Sequence, residues 1–380
     1  MAVSTPYAEV VVEQADEGGS PGRSTFVQRN GPFGAYRRVV ERRDDGAVEE
    51  TTEWSVDIPW FWWMFTPLIG RHFKNRTHSD KRPWWAPPQE LSQREVLVLA
   101  LLAAASMASA FINTLFTQTV TYAAEAFDVG EQGQGIAGAI VRFGIVIAIP
   151  LAVLGDRIGR RRIIIALAWI APIVAALGAL APNFWILTAN QTIARPLGLA
   201  LDVALLVVAV EEMPKNARAY GLSILALASG LGAGIAVLAL PLADSGDNGW
   251  RIIYVVSLLW LVVAARLTRR LAETTRFTRH IEGSTKGSRK GSRRTDVQNL
   301  HIRAPRTLRV QGVILVVAFL GNVFLATASV FQNRYLKDVR DYSAVLVATF
   351  TLVTTTPSAL GLVFGGRLAD DYGRRVVAST

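Results

Sequence analysis

Eight long blocks of apolar residues dominate the sequence of this chain. Each block is about 20 residues long, and a helix of that length, rising about 1.5 Å per residue, crosses about 30 Å of hydrocarbon. The predicted helices cover residues 95–118, 134–154, 163–181, 184–210, 219–241, 250–267, 310–332 and 344–366. The pattern predicts an all-α, polytopic transmembrane fold.

The composition excludes several kinds of site. Of the 380 residues, 51% are hydrophobic and 18% are charged, and a soluble domain of this length carries more charge. Cysteine is absent, so no disulfide or thiolate metal site can form. The histidines lie in polar, basic stretches without metal-ligand spacing: His72, His78, His280 and His301. Because no nucleophile–base pair is evident either, we predict no metal, no cofactor and no enzymatic activity.

The charges of the loops predict the orientation of the chain. Loops 155–162 and 266–309 are rich in Lys and Arg, whereas the alternate loops 119–133 and 242–249 carry acidic residues without Lys or Arg. The positive-inside rule therefore places the N-terminus and the basic loops in the cytoplasm, in a plasma (inner) membrane. Cytoplasmic loops also explain the net charge of +10, and we predict no nucleic-acid partner.

One loop departs from this rule. Residues 333–343 lie on the predicted outer side, yet they contain three basic residues. Local pairing with two acidic residues of the same loop is the explanation that the sequence offers. The residues concerned are Arg334, Lys337, Arg340, Asp338 and Asp341.

The N-terminal 90 residues form a predicted cytoplasmic tail. Residues 1–50 are polar and rich in charge, and we expect them to be disordered. Six of the ten tryptophans fall in the segment 54–85. Because tryptophan prefers the headgroup level, this segment is predicted to be an interfacial anchor on the cytoplasmic leaflet. A partner-binding or loosely packed segment is the alternative.

A second polar segment, 268–309, separates two predicted helical regions. It contains GSTKGSRKGSRR, a composition typical of a flexible basic linker. Binding of anionic lipid or nucleic acid is the alternative. The linker divides a six-helix bundle over 91–267 from a partial bundle over 310–380.

A short motif occurs twice, each time in a cytoplasmic turn after an even-numbered helix. The chain has AVLGDRIGRRR at 152–162 and GRLADDYGRR at 366–375. In each copy a glycine permits close helix approach, the aspartate can face the positive end of a neighbouring helix, and the arginines stay in the cytoplasm. The repetition indicates an internal duplication.

Both copies resemble the loop motif G-x-x-x-D-R/K-x-G-R-R/K of the major facilitator superfamily. The matching positions are Asp156, Arg157, Gly159, Arg160 and Arg161 in the first copy, and Gly366, Asp370, Gly373, Arg374 and Arg375 in the second. The first copy departs from the motif at Ala152, where glycine is usual. The second departs at Asp371, where a base is usual.

Further segments resemble sugar porters and related solute:proton symporters. Arg195, followed by Gly198, is similar to the family's intramembrane arginine motif, with a shorter spacing. The end of the fourth helix resembles E-x-x-P-x-x-x-R, and LAETTRF is similar to P-E-S-x-R-F although the proline and serine are replaced. The matching residues are Glu211, Pro214, Arg218, Glu273 and Arg276. Helix five lacks the G-P-x-x-G-G signature of drug antiporters.

The resemblance implies twelve helices in two bundles, with the solute between them, in a protein expected to be monomeric. We therefore expect this chain to be truncated after its eighth helix. It also implies that Glu211, Arg218 and Arg276 lock a cytoplasmic gate with the loop arginines, and that Asp370 meets the start of helix five. Solvated charges at helix ends are the alternative interpretation for each of these residues.

Three ionisable residues fall at membrane depth: Arg142, Arg195 and Asp202. Such residues are functional candidates, because a charge at the bilayer centre costs several kcal/mol unless it is paired or wet. An ion pair between Arg142 and Asp202 is within reach if helices two and four adjoin. Pro196 and Gly198 either unwind the fourth helix locally or only kink it.

We hypothesise that Asp202 takes up and releases a proton, while Arg195 orients it or holds an anionic part of a solute. A static structural ion pair is the alternative. The sequence thus predicts a secondary transporter that moves a small organic solute, such as a sugar or an organic acid, by proton symport through the lipid bilayer. Drug or metabolite efflux, a non-transporting membrane scaffold and an inactive fragment remain as alternatives.

Overall fold

The computed structural model describes residues 11–16, 23–42, 47–74, 85–87, 89–271 and 305–372. The chain divides into two compact units. One consists of Met1–Ala105, Leu205–Ala228 and Leu362–Thr380, and the other of Ser106–Ala204 and Ser229–Gly361.

Helices make up most of the described chain. They are α1 (Trp62–Lys74), α2 (Gln93–Ala126), α3 (Glu131–Phe143), α4 (Ile145–Ile158), α5 (Arg160–Leu177), α6 (Phe184–Glu212), α7 (Arg218–Leu238), α8 (Gly249–Val256), α9 (Leu261–Arg270), α10 (Pro305–Arg334) and α11 (Ala344–Tyr372). A capping box starts α2, since Glu95 accepts a hydrogen bond from the backbone N–H of Ser92 at 2.7 Å and donates its own N–H to the Ser92 hydroxyl.

Six spans in the described ranges are long and apolar enough to cross a membrane. They are Gln93–Ala126, Glu131–Gly155, Arg160–Leu180, Phe184–Glu212, Lys215–Asp244 and Gly249–Arg270. Two further apolar helices, α10 and α11, overlap the last two predicted blocks. The predicted helical, multi-pass membrane architecture is confirmed, and the chain is a multi-pass membrane protein.

The second predicted span is divided into two helices at Gly144. A Cβ at this position would lie 2.5 Å from the carbonyl oxygen of Thr192 and 3.2 Å from Cγ of Pro196, so α6 leaves no room for a side chain here. In contrast, α6 continues without interruption through Pro196. Of the two alternatives for the fourth helix, local unwinding therefore does not occur, and the interruption lies opposite Pro196, between α3 and α4.

Helix α2 is the most buried of the six spans. Its residues Phe111, Leu115 and Phe116 are almost fully buried, in one apolar core with Trp250 and Tyr254 of α8. A helix that is apolar around its whole circumference is typical of the interior of a bundle.

The N-terminal region forms a four-stranded antiparallel sheet in the order β1-β2-β3-β4. The strands are β1 (Val12–Ala15), β2 (Arg23–Asn30), β3 (Phe33–Arg42) and β4 (Val48–Val56). Helix α1 packs on the sheet through Phe73, whose ring lies 5.7 Å from Phe33 and 5.5 Å from Trp54. At the other end of α1, Trp62 and Trp63 are exposed.

The expectation that residues 1–50 are disordered is wrong for the described part of this segment. The Arg38 guanidinium is buried in the sheet and donates a hydrogen bond to Glu13 at 2.8 Å, and the Tyr36 hydroxyl donates to the same carboxylate at 2.6 Å. Burial lowers the pKa of Arg38, but the hydrogen bond and charge of Glu13, together with the nearby Glu50 and Tyr36, more than offset this, so that the pKa is raised. The charges that suggested disorder are thus paired across strands.

Candidate functional site

A row of polar side chains on α2 faces α6. Ser106, Ser109 and Asn113 are spaced by three and four residues, which places them on one helical face. The Ser109 hydroxyl donates to the carbonyl oxygen of Gly198 at 2.8 Å. The Ser106 hydroxyl donates to Oδ1 of Asp202 at 3.2 Å. Because residue numbers rise along α2 and fall along α6, the two helices run antiparallel at this contact.

The carboxylate of Asp202 lies at the end of a chain of hydroxyl groups. Ser106, which is 1% exposed, also lies 2.7 Å from the hydroxyl of Ser229 on α7. When Ser106 donates to Asp202, Ser229 must donate to Ser106, because each hydroxyl carries one proton. A protonated Asp202 could reverse both bonds. We refer to Ser106, Asp202 and Ser229 as the acid cluster.

Arg142, near the end of α3, points to a different partner from the one expected. Its Nη2 donates a hydrogen bond to the Ser329 hydroxyl of α10 at 2.9 Å. Among the described residues, Arg142 and Asp202 form no ion pair within 4.0 Å, so the pairing that the sequence left within reach does not occur. The physical reason is that Asp202 faces α2 and α7, whereas Arg142 reaches α10.

Arg195 is half-buried on α6, seven residues before Asp202. Its guanidinium forms neither a hydrogen bond nor an ion pair with any residue that the structure describes. Arg142 lies near enough for the two positive charges to repel each other. We refer to Arg142 and Arg195 as the arginine pair.

Two buried amide oxygens, one on α2 and one on α6, were not singled out in the sequence as ligand-binding groups. Oδ1 of Asn113 and Oε1 of Gln191 have no hydrogen-bond partner among the described residues. Gln191 is one helical turn before Arg195 on α6. Asn113 faces Gly198, where a Cβ would lie 2.8 Å from the amide oxygen. A buried acceptor without a partner costs about 1–3 kcal/mol, which a bound donor group would offset.

The loop-motif residues are placed at helix ends. Gly159 has φ +105°, a backbone conformation that favours glycine, between α4 and α5. Arg161 donates to the carbonyl oxygens of Leu271 at 2.5 Å and Thr268 at 3.1 Å, which satisfies the end of α9. Arg160 begins α5. Asp156 and Arg157 lie within α4, and Gly366 and Asp370 lie within α11.

The remaining predicted gate residues are only partly described. Glu211 lies at the end of α6, Pro214 precedes a 3-10 turn, and Arg218 begins α7. The neighbouring Glu212 forms an ion pair with Arg94 at 3.7 Å. Glu273, Arg276, Gly373, Arg374 and Arg375 lie outside the described residues.

The basic residues of loop 333–343 form ion pairs with other helices that were not predicted from the sequence. Arg334 pairs with Asp338 at 3.0 Å, as predicted, and additionally lies 3.8 Å from Glu131 of α3. Lys337 pairs with Glu125 of α2. We refer to this group as the charged end cluster. The signal was present in the sequence, because the basic residues of one loop match the acidic residues of another loop on the same predicted side.

The family model described as Major Facilitator Superfamily matches residues 60–379. No curated protein sequence matches the chain.

Two solved structures share the fold. One is a bacterial homologue of the human lysosomal transporter Spinster, in an inward-facing and unoccupied conformation, with a TM-score of 0.56 and 19% identity over 74% of this chain and 64% of that one. The other is the proton:xylose symporter XylE bound to 6-bromo-6-deoxy-D-glucose, with a TM-score of 0.50 and 17% identity over 73% of this chain and 69% of that one. The present chain thus spans less than two thirds of the Spinster homologue.

Proposed function

The chain belongs to the major facilitator superfamily, and we propose that it is a secondary transporter that moves a small organic solute together with protons by alternating access. The observation that carries this proposal is the acid cluster. It places one carboxylate at membrane depth, in contact with a hydroxyl rather than with a positive charge.

Asp202 is suited to gain and lose a proton. A carboxylate locked into an ion pair with an arginine would stay charged, because the opposite charge favours the ionised form. Among the described residues, Asp202 has no such partner and accepts its hydrogen bond from Ser106. The hydroxyl can either donate or accept, so both protonation states of the carboxyl group can be satisfied. This favours proton coupling over a static ion pair.

We propose a sugar, an organic acid or a similar metabolite as the solute. The resemblance of Glu211, Pro214 and Arg218 to sugar porters and metabolite:proton symporters supports this class, and the proton:xylose symporter among the matched structures is consistent with it. Drug efflux is a variant of the same proposal, distinguished by the solutes that drive proton movement.

We further propose a plasma (inner) membrane location with the N-terminus in the cytoplasm and a monomeric state. The basic loops favour this orientation. The exposed Trp62 and Trp63 on α1 support contact of this helix with the cytoplasmic headgroup layer. The loop-motif residues, including Arg160 and Arg161, would then act at the cytoplasmic gate.

The test uses the full chain in proteoliposomes that contain a pH-sensitive dye. Xylose, glucose, gluconate, lactate and succinate are added in turn, and solute-driven proton movement is recorded. We expect at least one solute to move protons in the unsubstituted chain and none to do so in Asp202→Asn. Asp247→Asn, which changes an exposed carboxylate, is the matched control and should behave as the unsubstituted chain. Unchanged proton movement in Asp202→Asn would refute the role of Asp202.

A second candidate function is a membrane scaffold, and the folded N-terminal sheet favours it because an ordered module can bind a partner. This function predicts that deletion of residues 1–85 has a larger effect in cells than Asp202→Asn. The transporter proposal predicts the opposite order.

A further inference from the structure

We propose that the solute carries an anionic group, a carboxylate or a phosphate, and that the arginine pair binds it. This inference rests on the transport function proposed above and specifies its substrate class. It starts from the charges at membrane depth, where two guanidinium groups outnumber a single carboxylate that contacts neither of them among the described residues.

The carboxylate does not neutralise either arginine. Asp202 accepts from Ser106, and no ion pair links it to Arg142 or Arg195 among the described residues. Arg142 instead donates to Ser329, a neutral group that leaves its charge uncompensated. Two positive charges that repel each other in a partly buried region are costly unless an anion or water accompanies them.

Arg195 offers a site with free hydrogen-bonding capacity. Its guanidinium has five N–H donors and none is engaged by a described residue. A planar guanidinium binds carboxylate and phosphate oxygens through two parallel hydrogen bonds, so these groups match it in shape and in charge. The bound anion would also reduce the repulsion between Arg195 and Arg142.

The surroundings of Arg195 favour a solute that bears hydroxyl groups beside its anion. The amide oxygen of Asn113, which packs against Gly198 one helical turn after Arg195, is a buried acceptor without a described partner. A hydroxyl group of a solute is a donor of the kind that this oxygen lacks. Small hydroxy acids, sugar acids and sugar phosphates combine these features.

The experiment measures equilibrium binding to the full chain in detergent, without any gradient, from the shift of the thermal unfolding midpoint. The anionic probes are lactate, succinate, gluconate, glucose 6-phosphate and inorganic phosphate. The neutral probes are glycerol, xylose and glucose. We expect at least one acid to raise the midpoint while glucose does not. The gluconate and glucose 6-phosphate results distinguish a carboxylate from a phosphate ligand.

Variants locate the binding group. Loss of a charge-assisted contact should weaken acid binding about tenfold or more in Arg195→Gln. Arg195→Lys, which keeps the charge, should retain part of the binding. Arg340→Gln changes an exposed arginine and should have no effect. The inference is overturned if glucose stabilises the chain as well as the acids do, if no acid stabilises it, or if Arg195→Gln binds acids normally.

Failure of the anion inference can be distinguished from failure of the transport proposal. Acid binding without proton movement would refute the transport proposal alone. Proton movement driven only by neutral solutes would refute the anion inference alone.

Discussion

The hydroxyl of Ser106 on α2 donates a hydrogen bond to the carboxylate of Asp202 on α6 at 3.2 Å. The same hydroxyl lies 2.7 Å from that of Ser229, so one buried serine links the carboxylate to a third helix. In the proposed transport cycle, protonation of Asp202 would therefore reverse the Ser106–Asp202 and Ser106–Ser229 hydrogen bonds, which connect α6 to α2 and α2 to α7.

Replacement of Ser106 by alanine should disturb this link. The substitution leaves Ser229 and Asp202 without a buried partner, at a cost of about 1–3 kcal/mol in the free energy of unfolding. Solute-driven proton movement should fall several-fold in proteoliposomes. Ser223→Ala is the matched control, because Ser223 donates only to its own helix at the carbonyl of Ala219. Equal proton movement in the two variants would argue against a role for the hydroxyl chain.

Gly198 should tolerate no side chain while Asn113 is present. A Cβ would lie 2.8 Å from the Asn113 amide oxygen, and overpacking of this kind costs about 1–3 kcal/mol. Gly198→Ala should lower the unfolding midpoint of the chain in detergent. Gly230→Ala, at a position with no atom within 4 Å, should not. Adding Asn113→Ala to Gly198→Ala should restore part of the loss, and the absence of any such rescue would contradict the assigned contact.

The charged end cluster can be tested by cross-linking, because the chain contains no cysteine. Glu125 and Lys337 form an ion pair between α2 and the turn after α10. In Glu125→Cys/Lys337→Cys, a short bis-maleimide should join the two thiols and block solute-driven proton movement, since alternating access requires this end to open. Each single cysteine variant serves as a control and should stay active after the reagent. Full activity of the cross-linked protein would exclude opening at this end.

The buried ion pair between Arg38 and Glu13 should contribute far more to the stability of the N-terminal sheet than the exposed pair between Arg23 and Glu41. Arg38→Met leaves the buried carboxylate of Glu13 without its positively charged partner, which costs about 3–5 kcal/mol. Arg23→Met breaks an exposed pair with Glu41 and should cost at most about 1 kcal/mol. Hydrogen exchange of strands β2 and β3 in the full chain should rise sharply in the first variant only. Similar exchange in both variants would show that the sheet does not depend on Arg38.

Several properties of this protein follow from its sequence alone. Apolar blocks long enough to cross the hydrocarbon predict the spanning helices, because a helix satisfies its backbone hydrogen bonds locally whatever lies beside it. The capping box at Ser92 and Glu95 is equally local, because its hydrogen bonds join residues only three positions apart. Asp202, Arg195 and Arg142 were identifiable as unusual, because charge is costly at membrane depth wherever the neighbouring helices lie.

Other properties were decided only by the tertiary structure. The N-terminal sheet pairs charges that are distant in the sequence, such as Glu13 and Arg38, whereas composition alone suggested disorder. Gly144 packs so closely against Thr192 that a side chain would not fit, and the partner of Arg142 is Ser329 because α3 and α10 adjoin. The sequence identifies the polar and charged groups that need partners. Which helices become neighbours depends on packing between distant segments, and this packing determines which groups come into contact.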